Sequence, residues 1–424
     1  MITPLLTLAA LLMAALPSPT PGPQFGPAIH CTPTSIAVNG GAATPSTDPI
    51  AEALRNAGPG SVIDVEPGDY PSFRLGFGRG AQNADTSGTE FAPIRVRALG
   101  SGPKRVRIRT KGGSDALMID QKKPVAYITF EGLEFEPGYR SAIIFYRQGG
   151  DAVHRGFRFL DCDIIGGWDH VKAAGVQSKW GVSGHRIADF EWSGVSRPSI
   201  IRDLKNEHGF YLQNCAGDVT IQNVEATRLG RTFCQFTARS SDGPAGLGHI
   251  TVKNCRISNT GLAAGDAYKG GSAFTVTGNM PKASFLFEGN TYRAGFNPRL
   301  KKLTRPGVPF GTGALVVWAE KDPVRVGEVI LRDNDFRFAK DSGDRAVVAL
   351  SAVKDVRIEG TNHFEAGAFG VALIIDPPQS NGLPNKLPCA KVQIAPTTAL
   401  VGRLEVAGHA ATAAERTRLG LTPR

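Results

Sequence analysis

The stretch EHGFYLQN, Glu207 to Asn214, places an acid, a histidine and a tyrosine within five residues at the start of an alternating, strand-like run. Arg231 and Arg239 bracket the next such run, TFCQFTAR from Thr232. These residue types suit proton abstraction beside a carboxylate. A cation neutralises the carboxylate, a base takes the neighbouring carbon-bound proton, and an acid assists the leaving oxygen. His208 and Tyr211 are the candidate base and acid, and Arg231 and Arg239 the candidate neutralisers, with Lys205, Lys253 and Lys269 as supplements. The alternative is structural: a histidine at a strand start is often satisfied by backbone, and an outward tyrosine can simply stack. Asp203, Glu207, Asp242 and Asp266 are the acidic candidates, and their spacing carries no metal-loop signature.

The elements that position these residues repeat along the chain. Eight segments align: ITFEGLEF from Ile128, FRFLDCDI from Phe157, FEWSGVSR from Phe190, VTIQNVEA from Val219, ITVKNCRI from Ile250, FLFEGNTY from Phe285, VILRDNDF from Val329 and VRIEGTNH from Val356. Their starts lie 29, 33, 29, 31, 35, 44 and 27 residues apart. The first and third positions are apolar and the second usually polar, which is strand alternation. The fifth is always Gly, Asp or Asn, the types that tolerate a left-handed backbone. Each unit therefore reads as strand, corner, strand. Irregular spacing near thirty residues with a fixed corner predicts one coil of a parallel β-helix per unit, with loops of varying length. Cys162 and Cys255 fall just after the corner, at the inward place also assigned to Leu133, Val195 and Val224, so they read as core.

A third strand closes each coil: SAIIFYR from Ser141, GFYLQN from Gly209, TFCQFTAR from Thr232, SAFTVTGN from Ser272, GALVVWAE from Gly313 and RAVVALS from Arg345. Aligned on their apolar positions, Phe210, Cys234 and Phe274 stack inward, as do Leu212, Phe236 and Val276. The outward rows become Tyr211, Gln235, Thr275 and then Gln213, Thr237, Thr277, Trp318. A polar strip ending in aromatics on a rigid sheet suits an extended sugar chain; the alternative is an ordinary solvated face. Lys269, Lys282, Arg293, Arg299, Lys301, Lys302 and Arg305 cluster within and beside the longest unit, and long loops on a repeat scaffold commonly wall a binding site. The alternative is a solvated basic loop. KRVRIRTK from Lys104 alternates like a strand with one charged face to water.

The chain has 424 residues and a net charge of +10, which favours polyanionic partners. Its first 22 residues read as an export signal with an apolar Leu5–Leu16, so a secreted or periplasmic location follows; no apolar stretch is long enough to span a membrane. Residues 23–47 form a Pro/Gly/Ser/Thr-rich segment, 48–376 the β-helix, and 377–424 a Pro-rich segment and cap. Asp48 to Tyr70 reads as a short amphipathic helix capping the open end, then a strand. HAATAAERTRLGL reads as a second short helix near the C-terminus. Six cysteines lack zinc spacing, and Cys31 could pair with Cys389 in an oxidising compartment.

The coil pattern over residues 48–376 resembles the pectate-lyase-like superfamily of right-handed parallel β-helices. AEALRNAGPGSVIDVEPGDY, Ala51 to Tyr70, with its PGD and following tyrosine, looks like the opening segment of the chondroitinase B and alginate lyase family. The resemblance implies an all-β solenoid with a short N-terminal capping helix, acting on an acidic polysaccharide by β-elimination. It transfers no catalytic residue. The paired aspartates of the polygalacturonase kind, the Tyr-Gly-Asp-Pro-His run of the mannuronan epimerases and the Lys/Arg signatures of chondroitinase B-like lyases are not recognised here. A glycoside hydrolase, needing two carboxylates in one groove, and a non-catalytic glycan-binding β-helix stay open as rivals. No cofactor is implied, although calcium is compatible with the chemistry. Nucleic acid is not the expected partner, and a monomer is expected.

Overall fold

The computed structural model describes residues 26–423 except 79, 81, 101–104, 111–112, 114, 147–152, 168–179, 205–206, 239–247, 262–271, 295–312, 320–323, 340–345, 368–369 and 378–386. The described chain winds through three long sheets of 15, 11 and 13 strands, here called A, B and C. Within each sheet the pairing is parallel, apart from hairpins at the two ends. Ala126–Glu131 lies in A, Glu134–Phe135 in B and Ser141–Phe145 in C, and the chain then returns to A at His154–Leu160. The architecture is a right-handed parallel β-helix.

The corner between A and B is where the repeat is read most directly. Gly132, Asp161, Asn223, Asn254, Gly289, Asp333 and Gly360 all have φ between 51° and 73°. Gly194 is the exception, because the chain loops out there before Ser199–Leu204. Asp161 holds that loop, accepting from the backbone N–H groups of Val195 (2.6 Å) and Ser196 (3.0 Å). Val195 is therefore 66% exposed rather than inward, and Ser199, paired with Val224, takes its place. Leu133, Cys162, Val224 and Cys255 are buried as expected.

Inside the coil, phenylalanines stack from one turn to the next. Phe130 lies on Phe159 at 5.1 Å and Phe159 on Trp192 at 5.0 Å. Beyond Cys255 a buried ladder of Asn290, Asn334 and Asn362 follows the corner, with Asn290 Nδ2 donating to Asn334 Oδ1 and Asn334 Nδ2 to Asn362 Oδ1 across successive coils.

Strand pairing extends past residues 48 and 376 at both ends: Ala28–Thr32 pairs with Val62–Val65, and Lys391–Ile394 and Arg403–Val406 continue sheets A and C. Helix α1 (Pro49–Asn56) sets Ile50, Ala51, Ala53 and Leu54 against the first coil. Helix α2 (Ala413–Arg418) starts with a capping box between Thr412 and Glu415, and Leu419 and Leu421 bury after it. All six cysteines are free thiols. The Cys31–Cys389 pairing fails because a solenoid keeps the two ends of its chain at opposite ends of the stack, and successive coils add about 4.8 Å each. Burial pushes the thiols of Cys31, Cys215 and Cys255 up to about 12, so they behave as small apolar core groups. Residues 1–25 and 378–386 lie outside the described residues, and no described helix is long and apolar enough to cross a membrane.

Candidate functional site on sheet C

Two of the three outer faces are occupied by ion pairs between coils. Every arginine in the strands of A and B has a carboxylate at 3.8 Å or less, among them Arg95–Glu131, Arg158–Glu191, Arg332–Glu359, Arg107–Glu134 and Arg293–Asp335. The run from Lys104 behaves as its alternation implies: Val106 and Ile108 are buried, while Arg107 and Arg109 pair outward with Glu134 and Glu136. Arg293 is thus a structural group. Lys253 stands at the end of an A strand beside Gln222 and Glu288, on a different sheet from Tyr211, so it does not supplement the site. Asp203 lies in a B strand, on a different sheet from Tyr211, and is held by Arg228 at 3.0 Å. Asp242, Asp266, Lys205, Arg239, Lys269, Arg299, Lys301, Lys302 and Arg305 lie outside the described residues, and Lys282 is an exposed turn residue.

Sheet C is different, and its register is the one the apolar alignment gives. Phe210, Cys234 and Phe274 pair in line; so do Tyr211, Gln235 and Thr275, and then Gln213, Thr237, Thr277 and Trp318. Phe210 and Leu212 are fully buried, so Tyr211 between them faces out. Not all of the strip is open. Tyr211, Gln213, Gln235 and Trp318 are half-buried, whereas Thr237, Thr275 and Thr277 are buried. Past Thr275 the same row turns apolar, with Val316, Ala349 and Ile374 in a second, outer apolar cluster against which Trp318 packs.

His208 is not a surface side chain. It is 3% exposed, stacks on Tyr211 at 5.3 Å and meets Trp180 at 5.6 Å. Trp180 stands edge-on to Tyr211 at 4.8 Å. Desolvation, and then the positive charge of Arg231, push His208 down to about 3. An imidazole that resists protonation this strongly is a weak base and is not in its imidazolium form near neutral pH. His208 is thus a buried, neutral ring stacked on Tyr211 rather than an exposed side chain. Glu207 is buried, and its Oε2 lies 3.8 Å from Arg231 Nε on the next coil, where the Arg231 N–H also donates to the Glu207 carbonyl (3.0 Å). The Arg231 side chain keeps 39% of its surface exposed.

One further group was missed. His185, paired with Gln213 across the coil, is buried and receives a hydrogen bond from Asn214 Nδ2 at 3.4 Å. Its strand, Trp180–His185, reads WGVSGH. The glycines and serine break the apolar alternation that marked the other third strands, although Ser183 sits squarely beside Tyr211. Among the described residues, no group of three or more His, Cys, Asp or Glu is placed to hold a metal ion.

The acid response of stability follows from His208 and His154. His154 is buried and pushed down to about 4, chiefly by desolvation. Both rings stay neutral in the folded chain while the unfolded chain takes up protons from about pH 6.5. Their stabilising contribution is complete above that pH and is lost as pH falls towards 4 and then 3. We expect His208→Asn to flatten the fall in melting temperature between pH 7 and pH 4 relative to the parent protein. An unchanged slope would show that His208 is protonated in the folded state.

No protein-family model and no curated protein matches the chain. Solved structures similar to it include an alginate lyase from Paenibacillus sp. str. FPU-7, at 16% identity and a TM-score of 0.43 over 76% of this chain and 93% of that one. Pectate lyase Pel9A is similar at 12% identity and a TM-score of 0.42, over 77% and 78%. A mannuronic-acid-specific polysaccharide family 6 lyase from human gut microbiota is similar at 14% identity and 0.47, over 91% and 77%.

Proposed function

We propose that the protein is a polysaccharide lyase that cleaves an acidic, uronate-containing glycan by β-elimination on the outer face of sheet C. The observation that carries the reading is the half-buried Tyr211. It is walled by Trp180 and His208 and lies one coil before Arg231, on the sheet whose strands carry the fewest ion pairs among the described residues. Tyr211 is assigned the proton transfer at the carbon beside the carboxylate, and Arg231 the neutralisation of that carboxylate. Neutral His208 and buried Glu207 position the two, Glu207 by holding Arg231 from below. Gln213 and Gln235 flank Tyr211 as hydrogen-bonding groups for sugar hydroxyls, and Trp318 offers a ring face further along the row of Gln213. The aromatic walls exclude water and offer an apolar face to a sugar ring. The substrate is extracellular or periplasmic in this reading, as the N-terminal apolar stretch implies, and the working form is a monomer needing no resident cofactor.

The test is the ultraviolet absorbance of the unsaturated uronate that elimination leaves, on a panel of alginate, pectate, glucuronan and glycosaminoglycans, with calcium and with chelator. A rise on one polymer supports the lyase. New reducing ends without that absorbance would replace it with a hydrolase, and binding without either product would leave a glycan-binding protein.

A further inference from the structure

The row that holds Tyr211 runs on towards the N-terminal end of the solenoid. Arg74 pairs with Met118, Met118 with Ile144, Ile144 with Ser183 and Ser183 with Tyr211. Arg74 therefore stands four coils before Tyr211, about 19 Å away at the usual strand spacing. It departs from the rule of the scaffold. The strand arginines of A and B are all matched by carboxylates, whereas Arg74 has none within ion-pair distance among the described residues. It is exposed and lies over the ring of Phe77 at 5.7 Å.

A second cation converges on that ring. Lys122 Nζ is 5.9 Å from its centre, is exposed, and likewise has no carboxylate partner among the described residues. The backbone builds this pairing deliberately. Gly76, at φ 76°, turns the chain outward just after the strand Phe73–Leu75; a Cβ there would stand 2.0 Å from the Asp120 carbonyl oxygen. Lys123 N–H donates to the Gly76 carbonyl at 3.0 Å, which locks the Asp120–Lys123 turn against it. Phe77 in turn stands edge-on to Tyr146 at 6.2 Å, and Arg140 lies over Tyr146 at 4.9 Å. Arg74 also lines a cleft of about 680 Å³ together with Gln82, Arg109 and Met118 and the carboxylates of Asp69, Asp115 and Glu136.

We infer that Arg74, Phe77 and Lys122 form a distal subsite that binds an acidic glycan chain about four sugar units from Tyr211, the cations taking carboxylates and Phe77 the face of a ring. The inference rests on the proposed reading of sheet C for the identity of the polymer. A hexose unit in an extended chain is about as long as one coil is thick, so a polymer lying along the row places successive units over successive coils. Two cations held against an aromatic ring, without carboxylates of their own, are arranged for an anion supplied from outside.

The test is binding and turnover on a size series of the acidic polymer, from disaccharide to long chain, with the Arg74→Ala/Lys122→Ala double variant. The expected result is a five- to tenfold loss of affinity for long chains, roughly what two partly exposed charge contacts supply. KM rises with it, kcat is unchanged, and chains too short to span four coils bind as before. Thermal melting checks that the variant is folded, and Phe77→Leu, which keeps both cations, should show a smaller loss confined to long chains. Equal losses on short and long chains, or none on long chains, would overturn the inference. Length-dependent binding that the double variant loses, in a protein that forms no unsaturated product, would uphold the subsite and sink the lyase reading. Turnover with unchanged long-chain affinity in the double variant would do the reverse.

Discussion

Tyr211→Phe should lower turnover of the uronate polymer by about 10² to 10⁴, the usual contribution of a positioned proton-transfer group, and leave the melting temperature within about a degree or two. The phenylalanine ring keeps the edge-on contact with Trp180 and the stack on His208, so only the hydroxyl is lost. The comparison with His208→Asn is what gives the experiment its force. His208 is neutral and buried, so its replacement should disturb the placing of Tyr211 and raise KM while costing less in kcat. The sequence offers the two residues as equals; the structure does not. If Tyr211→Phe turns over like the parent and His208→Asn is dead, the imidazole performs the chemistry in the bound state, and Tyr211 is a wall. Arg231→Lys should fall between them, because the charge is kept but the planar donor array that grips a carboxylate in two places is not.

How much of this was legible in the chain differs from element to element for physical reasons. The coils were legible because each strand alternates and each corner needs a left-handed residue. Seven of the eight corner positions adopt that conformation. The register of sheet C was legible where Phe, Leu, Cys and Val mark the inward positions, which is why Tyr211, Gln235 and Thr275 line up as expected. Burial of His208 was not. It depends on Trp180, 28 residues earlier, in a strand whose glycines hide its alternation. Lys253 was misplaced for a related reason: a lysine at a strand end carries no mark of the sheet it belongs to. Arg74, Phe77 and Lys122 fall before the first full repeat at Ile128, where no aligned unit exists to show that they meet. Thr237, Thr275 and Thr277 are outward in register yet buried, because alternation tells which way a side chain points and not what covers it.

The largest expected effect on stability lies in the asparagine ladder, far from the candidate site. Asn334 is fully buried. Its Oδ1 accepts from the Asn290 backbone N–H and from Asn290 Nδ2, both at 3.1 Å. Its Nδ2 donates to the Phe287 carbonyl at 2.8 Å and to Asn362 Oδ1 at 3.2 Å. Asn334→Ala removes the acceptor of the Asn290 backbone N–H and takes one partner each from Asn290 Nδ2, the Phe287 carbonyl and Asn362 Oδ1 on the two flanking coils, and each buried orphan costs about 1–3 kcal/mol. The expected loss is about 3–5 kcal/mol, a large share of what holds a typical domain together. Lys391→Ala, which breaks an exposed pair with Asp355 at 3.5 Å, should cost at most about 1 kcal/mol. Because each coil touches only its neighbours, the damage should stay local. Hydrogen exchange should speed up in Phe285–Glu288, Val329–Arg332 and Val356–Glu359 before it does in Ala126–Glu131. Loss of protection along the whole solenoid at once would mean that the coils unfold as one cooperative unit. Unchanged protection in those three strands would mean that the ladder satisfies its amides without stabilising the stack. The middle result, a local opening that leaves sheet C intact at Tyr211, would show that the coils carrying the candidate site stand independently of the C-terminal coils that the ladder joins.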